Sequence, residues 1–284
     1  MEIIRAKHMG FCFGVLEAIN ICNSLKDEKR KKYILGMLVH NKYVMEDMKN
    51  KGFEVVTEEE ILKGEDPLKE GDILVVRAHG TTKAIHERLK NKNITLYDAT
   101  CIFVNKIKNE VDVANKNGYT ILFVGDRNHP EVKGIISYAD KIEIFETLEE
   151  AKQLKIEKNN KYLLSTQTTL NKKKFEEIKN FFQNVYENVK IFDKICGATS
   201  VRQKSVEELA PKVDLMLVIG DRKSSNTKKL YEISKRVNDE TYLVESDEDL
   251  DLRIFKDKNT VGITAGASTP EEIIKNIENK IRGI

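Results

Sequence analysis

Three cysteines in this 284-residue chain head three copies of one pattern. Cys12, Cys101 and Cys196 close the stretches EIIRAKHMGFC, NITLYDATC and NVKIFDKIC, each built on a short apolar run. A glycine stands 24 residues beyond each cysteine, after a second apolar run: Gly36, Gly125 and Gly220. At 28 residues come His40, His129 and Ser224, and at 67, in the first two copies, His79 and Thr168. The third copy reaches Ser268 at 72, which marks a small insertion. Shared offsets of this length are the signature of an internal structural repeat. They imply that three thiols and a ring of small polar groups converge near one pseudo-threefold axis.

Three thiolates around a threefold axis suit a cubane [4Fe-4S] cluster, with three irons on cysteine and the fourth open to a substrate. Zinc held by three cysteines and a water is the competing reading. Three buried, metal-free thiols are the third, and matched positions beside strand ends weigh against it. Cys22 lies outside the repeat, at helical spacing from Val15 and Ile19, and reads as core. His40, His79 and His129 are three of only five histidines, and all occupy repeated loop positions. Ser224, Ser225 and Asn226 in KSSNT, Thr168 and Thr169 in QTT, and Ser268 in GAST add neutral donors. Helices are expected to begin just after these groups, at 82, 171, 227 and 270. Helix N-termini with small donors favour phosphate oxygens, and histidines add charge-assisted hydrogen bonds. The expected ligand is a small phosphorylated anion over an open metal corner. Glu131 in NHPEV is placed to give a proton at the same point; its plainer reading is a helix-start carboxylate.

The elements that must position these residues alternate between strand and helix. The first copy reads as strands 2–6, 33–39, 53–56 and 72–77 with helices near 14–29, 41–51 and 82–91. Strands are expected at 94–97, 119–124, 142–145 and 161–165 in the second copy. The third has them at 189–192, 214–219, 241–244 and 260–264. The runs are short, β-branched and bounded by Gly or polar residues, as buried parallel strands are. After the third strand each copy shows a capping-box-like start: Thr57–Glu60, Thr147–Glu150 and, with Asp at its end, Ser246–Asp249. The fold class is therefore α/β: three similar lobes with mainly parallel sheets, arranged with pseudo-threefold symmetry around a central metal site. Lobe one spans 1–98, lobe two 99–193 and lobe three 194–284. Ligands of such sheets bind at the carboxyl ends of strands, where the repeated polar loops fall.

The whole-chain composition is that of a core-forming protein, 40% hydrophobic and 33% charged. A net charge of +2 gives no field that argues for nucleic acid, and runs such as KDEKRKKY (26–33) read as solvated helix ends. No apolar stretch reaches the length of a membrane span, and MEIIRAKHMG lacks a signal-peptide core, so a cytoplasmic location is expected. There, four cysteines are metal ligands, catalytic thiols or core residues rather than disulfides.

The motifs GFCFGV (10–15), VHN (39–41), RAHG (77–80), DATC (98–101), HPEV (129–132), TQTT (166–169), SSNT (224–227) and TAGASTPE (264–271), with IC-AT-RQ across 195–203, run in order over essentially the whole chain. Together they resemble the 4-hydroxy-3-methylbut-2-enyl diphosphate reductase family, which completes the methylerythritol phosphate route to isoprenoids. The resemblance implies a [4Fe-4S] cluster on Cys12, Cys101 and Cys196. It implies a diphosphate held by His40, His79, His129, Ser224, Asn226 and Ser268 with Ser225 adjoining, and proton delivery and hydroxyl positioning by Glu131 and Thr168. Two electrons from a ferredoxin or flavodoxin then remove the C4 hydroxyl as water. Ile102 departs from the family's usual Pro, Asn128 from Gly, and Gly-Asp-Arg-Lys at 220–223 from Gly-Ser-x-Asn. His8-Met9 stands where Pro-Arg is common. None of these removes an implied ligand. Two other functions compete: an iron–sulfur hydro-lyase using the open iron as a Lewis acid, and a non-enzymatic redox sensor or phosphometabolite-binding module.

Overall fold

The computed structural model describes residues 1–283. The strands are β1 (Glu2–Arg5), β2 (Lys32–Leu35), β3 (Phe53–Val56), β4 (Ile73–Val76), β5 (Thr95–Asp98), β6 (Tyr119–Val124), β7 (Ile142–Phe145), β8 (Lys161–Thr166), β9 (Val189–Ile191), β10 (Leu215–Ile219), β11 (Thr241–Val244) and β12 (Thr260–Ala265). Among the described residues they form three four-stranded sheets, parallel throughout. The helices are α1 (Phe13–Ser24), α2 (Lys42–Asn50), α3 (Glu58–Lys63), α4 (Lys83–Lys90), α5 (Ile102–Lys116), α6 (Pro130–Ile136), α7 (Leu148–Gln153), α8 (Lys172–Val185), α9 (Gly197–Leu209), α10 (Ser225–Lys235) and α11 (Glu271–Arg282).

The three sheets share one strand order. They run β3-β2-β4-β5, β7-β6-β8-β9 and, from the matching edge, β11-β10-β12-β1. The fourth strand of each sheet is thus the strand that opens the next copy. For the third sheet that strand is β1, paired with β12 from Glu2↔Thr260 to Arg5↔Ile263. The sheets therefore do not follow three consecutive stretches: residues 2–5, expected with lobe one, complete the sheet of residues 215–265. Periodicity identifies a strand but not its partner, and here the partner lies at the far end of the chain.

Two compact units emerge. One contains Met1–Leu16, Val39–Asp47 and the chain from Gly197 onward, with the β1/β10–β12 sheet. The other contains Glu17–Leu38 and Met48–Cys196, with the remaining two sheets. Central strands β2, β4 and β10 are buried along their whole length, as parallel strands covered on both faces must be. Beneath β6 and β8, Leu122, Val124 and Leu164 pack on Phe175, Ile178 and Phe182 of α8. On the opposite face, Ile121, Phe123 and Leu163 pack on Val104, Ile107 and Val111 of α5. In the first unit Leu215, Leu217 and Ile263 meet Ile274, Ile277 and Ile281 of α11. No helix among the described residues is long and apolar enough to cross a membrane.

Local differences from the sequence reading have identifiable causes. β2 ends at Leu35 rather than 39 because Gly36 adopts φ +68, the left-handed region open to glycine. Helix α1 ends at Ser24 rather than 29; beyond it the buried Lys32 ammonium takes up the carbonyls of Leu25 and Lys26. Thr57 and Glu60 form a complete capping box at α3. Thr147 caps α7, but Glu150 reaches the Glu146 N–H instead of its own cap. Ser246 starts no helix: Asp249, one methylene shorter than Glu, accepts from the Glu245 N–H at 3.3 Å.

Candidate active site

The repeat is a repeat of backbone bonds as well as of residue types. Gly36, Gly125 and Gly220 each follow the last residue of β2, β6 and β10, and each donates its N–H to the end of the neighbouring strand: Val56, Phe145 and Val244. Side chains at the first and third glycines would collide. A Cβ on Gly36 would lie 2.6 Å from Arg77 Nη1, and one on Gly220 2.8 Å from the hydroxyls of Thr227 and Thr269. From these turns the chain runs directly to the residues 28 beyond each cysteine.

Each cysteine immediately precedes a helix, α1, α5 or α9, where the positive end of a helix dipole favours negative charge. None of the three is in a disulfide, and each is half-buried. Their N–H groups are tied in one way. Cys101 donates to Ala78 O at 3.0 Å, Cys196 to Thr168 O at 3.0 Å and Cys12 to Ala267 O at 3.1 Å. Ala78 neighbours His79 and Ala267 neighbours Ser268, so every cysteine hangs from the loop that carries the polar residue of the preceding copy.

In the two-sheet unit, Glu131, Thr168, His129 and His79 come together. Glu131 is 2% exposed on the first turn of α6. Its carboxyl accepts the Thr168 N–H at 2.7 Å and the Thr168 hydroxyl at 2.8 Å. Burial pushes the Glu131 carboxyl up, and the two Thr168 donors oppose that only in part. His129 is the N-cap of α6, its Nδ1 accepting the Glu131 N–H at 3.2 Å. That bond leaves the proton of a neutral ring on Nε2. The His79 ring lies edge-on to it, with centroids 5.5 Å apart. The loop bearing His79 is braced by Glu58, which accepts from Arg77 Nη2 at 2.7 Å and from the Thr81 hydroxyl at 2.8 Å.

In the other unit, Ser224 caps α10, its hydroxyl accepting the Thr227 N–H at 3.4 Å. The helix begins at Ser225, two residues earlier than the sequence suggested. Asn226 is 5% exposed, and neither Oδ1 nor Nδ2 has a hydrogen-bond partner among the described residues. A buried amide left this way points to a ligand that would satisfy it. Ser268 donates its hydroxyl to His40 O at 2.9 Å, joining two candidate residues directly. Asn41, missed by the sequence reading although VHN was singled out, is the residue that starts α2; its Oδ1 accepts the N–H groups of Tyr43 and Val44. Cys22 is fully buried, as expected of core, and burial pushes its thiol up to about 12.

Comparison with known proteins agrees with this geometry. The family model for LytB protein matches residues 3–282. A 4-hydroxy-3-methylbut-2-enyl diphosphate reductase of Fusobacterium nucleatum subsp. nucleatum is 70% identical over 284 residues, covering this whole chain and 34% of that protein, so the chain spans about a third of that relative's length. The reductase of Caldanaerobacter subterraneus subsp. tengcongensis is 40% identical over 289 residues, covering 100% of this chain and 98% of that one. Among solved structures, the E-1-hydroxy-2-methyl-but-2-enyl-4-diphosphate reductase of Plasmodium falciparum superposes with a TM-score of 0.90 at 31% identity, over 98% of this chain and 87% of that one. A structure described as (E)-4-hydroxy-3-methyl-but-2-enyl diphosphate reductase, the terminal enzyme of the non-mevalonate pathway, does so with a TM-score of 0.70 at 37% identity over both whole chains. With its three repeated cysteines, its three-sheet fold and a family match along nearly its full length, the chain belongs to the LytB protein family.

Proposed function

We propose that the chain reduces (E)-4-hydroxy-3-methylbut-2-enyl diphosphate to isopentenyl and dimethylallyl diphosphate, the C4 hydroxyl leaving as water at the expense of two electrons and two protons. The observation that carries this reading is the common anchoring of Cys12, Cys101 and Cys196, each at a helix start and each bonded through its N–H to a polar loop of the preceding copy. Three half-buried thiols outside any disulfide suit a [4Fe-4S] cluster with one open iron, which would supply the electrons.

The chain's own residues bind, orient and protonate. Glu131, whose carboxyl burial shifts toward its protonated form, is the proton donor, and Thr168, bonded to it through both N–H and hydroxyl, orients the carboxyl and the leaving hydroxyl. His129, with Nδ1 occupied by the helix cap, directs Nε2–H to a phosphate oxygen. His40, His79, Ser224, Ser225, Asn226 and Ser268 complete the diphosphate contacts. The open amide of Asn226 at the N-terminus of α10 suits an anion best. A ferredoxin or flavodoxin in the cytoplasm supplies the electrons.

Anaerobic turnover tests the reading. The iron- and sulfide-reconstituted protein is given reduced viologen, with and without the hydroxylated allylic diphosphate. Substrate-dependent viologen oxidation, abolished by Glu131→Gln and by Cys196→Ser, is expected. An intact cluster that consumes no reductant refutes it and leaves the hydro-lyase and sensor readings.

A further inference from the structure

The RQ pair at 202–203 belongs to the motif series and has been given no role. Arg202 sits on α9 and is 6% exposed. Both of its terminal nitrogens donate to backbone carbonyls. Nη1 donates to Ala198 O at 2.9 Å, and Nη2 to Gly10 O at 2.7 Å and Phe11 O at 3.0 Å. Gly10 and Phe11 are the two residues that lead into Cys12. Gly10 turns the chain at φ +70, and the N–H groups of Gly10 and Cys12 are held from the other side by Ala265 O and Ala267 O. The Cys12 turn is therefore gripped on both faces, by β12 and its following loop through its donors and by Arg202 through its acceptors.

The other copies solve the same problem differently. Six residues beyond Cys12 and Cys101, where Arg202 stands relative to Cys196, are Ala18 and Ile107, which have no side-chain donor. The residue before Cys101 is held instead by Asn105 of α5, whose Nδ2 donates to Thr100 O at 3.3 Å. A planar, permanently charged fork can bind several carbonyls at once in a fixed geometry, which an amide or an ammonium cannot reproduce. The two neutral peptides before Cys12 thus lie against a buried cation, while those before Cys101 meet a neutral amide.

We propose that Arg202 is a positioning residue for Cys12: it fixes the Gly10–Phe11 turn and so sets where the Cys12 sulfur is presented, while the Cys101 and Cys196 N–H groups keep their own anchors. Its value to the reaction rests on the reading that Cys12 holds a cluster; the grip itself does not.

Amide hydrogen exchange of the full-length, cluster-free chain separates the two. In Arg202→Gln the amides of Gly10 and Cys12 exchange about ten-fold faster or more, while those of Cys101 and Cys196 are unchanged. Arg202→Lys, which keeps the charge but not the fork, falls between. Asn105→Ala gives the reciprocal result, faster exchange around Cys101 with Cys12 unmoved. Equal acceleration at all three cysteines in Arg202→Gln, or none at Cys12, overturns the proposal. In the iron-loaded chain, Arg202→Gln should lose iron to a chelator faster than wild type, with Cys12 alkylated before Cys101 and Cys196; alkylation of all three together counts against it. If the wild-type chain takes up no iron, the proposed function fails, while the exchange data still decide the grip.

Discussion

Replacing Glu131 by Gln should leave the fold intact, change the way stability responds to pH, and stop turnover. The amide can keep both contacts to Thr168: its oxygen accepts the N–H that now lies at 2.7 Å, and its NH2 donates to the hydroxyl oxygen at 2.8 Å. What disappears is a titratable group. Burial pushes the folded-state carboxyl above its ordinary value, so the native chain binds this proton more tightly than the unfolded one. The contribution of Glu131 to wild-type stability is then flat below the unfolded value, about 4.3. It falls as pH rises between there and the raised folded value, and is flat again above it. The slope in that window approaches about 1.4 kcal/mol per pH unit for one proton. Glu131→Gln lacks this slope, so the difference between variant and wild type should grow in the variant's favour from acid to neutral pH. Urea unfolding of both chains at matched cluster loading, from about pH 4 to 8, measures it. Turnover should fall about 100-fold or more, the usual worth of a positioned proton donor. A difference that does not vary with pH, or that moves in the wild type's favour as pH rises, would mean that Thr168's two donors hold Glu131 ionised. The acid role would then be wrong even if activity were lost.

The remaining tests address the anion contacts, a turn and the fourth thiol. Asn226→Ala removes a buried amide that makes no hydrogen bond among the described residues, so stability should change by less than about 0.5 kcal/mol while diphosphate affinity drops about 10-fold or more. Calorimetry should find the two effects apart; a large loss of stability with unchanged binding contradicts the assignment. Gly36 and Gly64 share a left-handed φ, +68 and +74, but a Cβ at 64 would meet nothing within 4 Å whereas one at 36 would strike Arg77. Gly64→Ala should cost about 1 kcal/mol for the backbone alone, and Gly36→Ala clearly more; equal costs would show that Arg77 moves aside freely. Native alkylation followed by peptide mapping should label Cys12, Cys101 and Cys196 in the cluster-free chain and spare Cys22, whose thiol is buried and pushed up to about 12.

Much of the site is legible in the sequence because the repeat does the work that an alignment would otherwise do. Each offset from a cysteine lands at the same place in the local structure: 24 on the glycine after a strand, 28 on or one residue before a helix cap, 67 in the loop before the next helix. Most of the strands appear within a residue of their expected bounds for the same reason. What the sequence could not supply is anything decided by partners. β1 joins β12 because the two lie side by side in the folded chain, more than 250 residues apart in sequence. Glu58 looks like an ordinary first-turn carboxylate until Arg77 and Thr81 are seen on it. Ser246 has the residue types of a capping box, yet its hydroxyl makes no hydrogen bond among the described residues.

The partner-dependent bonds also tie each cysteine to a polar loop. Were each cysteine anchored within its own copy, a shift in a polar loop would leave the sulfur where it was. Instead the N–H of each cysteine is bonded to the loop of the preceding copy, one residue before His79 or Ser268 or, for Cys196, at Thr168 itself. Because Thr168 also holds Glu131, one residue links the Glu131 carboxyl, through its N–H and hydroxyl, to the Cys196 N–H, through its carbonyl. Each bond has ordinary geometry, 2.7 to 3.0 Å, and a net worth of only about 1 kcal/mol for the neutral one and about 2 kcal/mol for those to the carboxyl when it is ionised. Their importance lies in sharing a single residue. A displacement of the Thr168 backbone would therefore disturb the Glu131 carboxyl and the Cys196 N–H together.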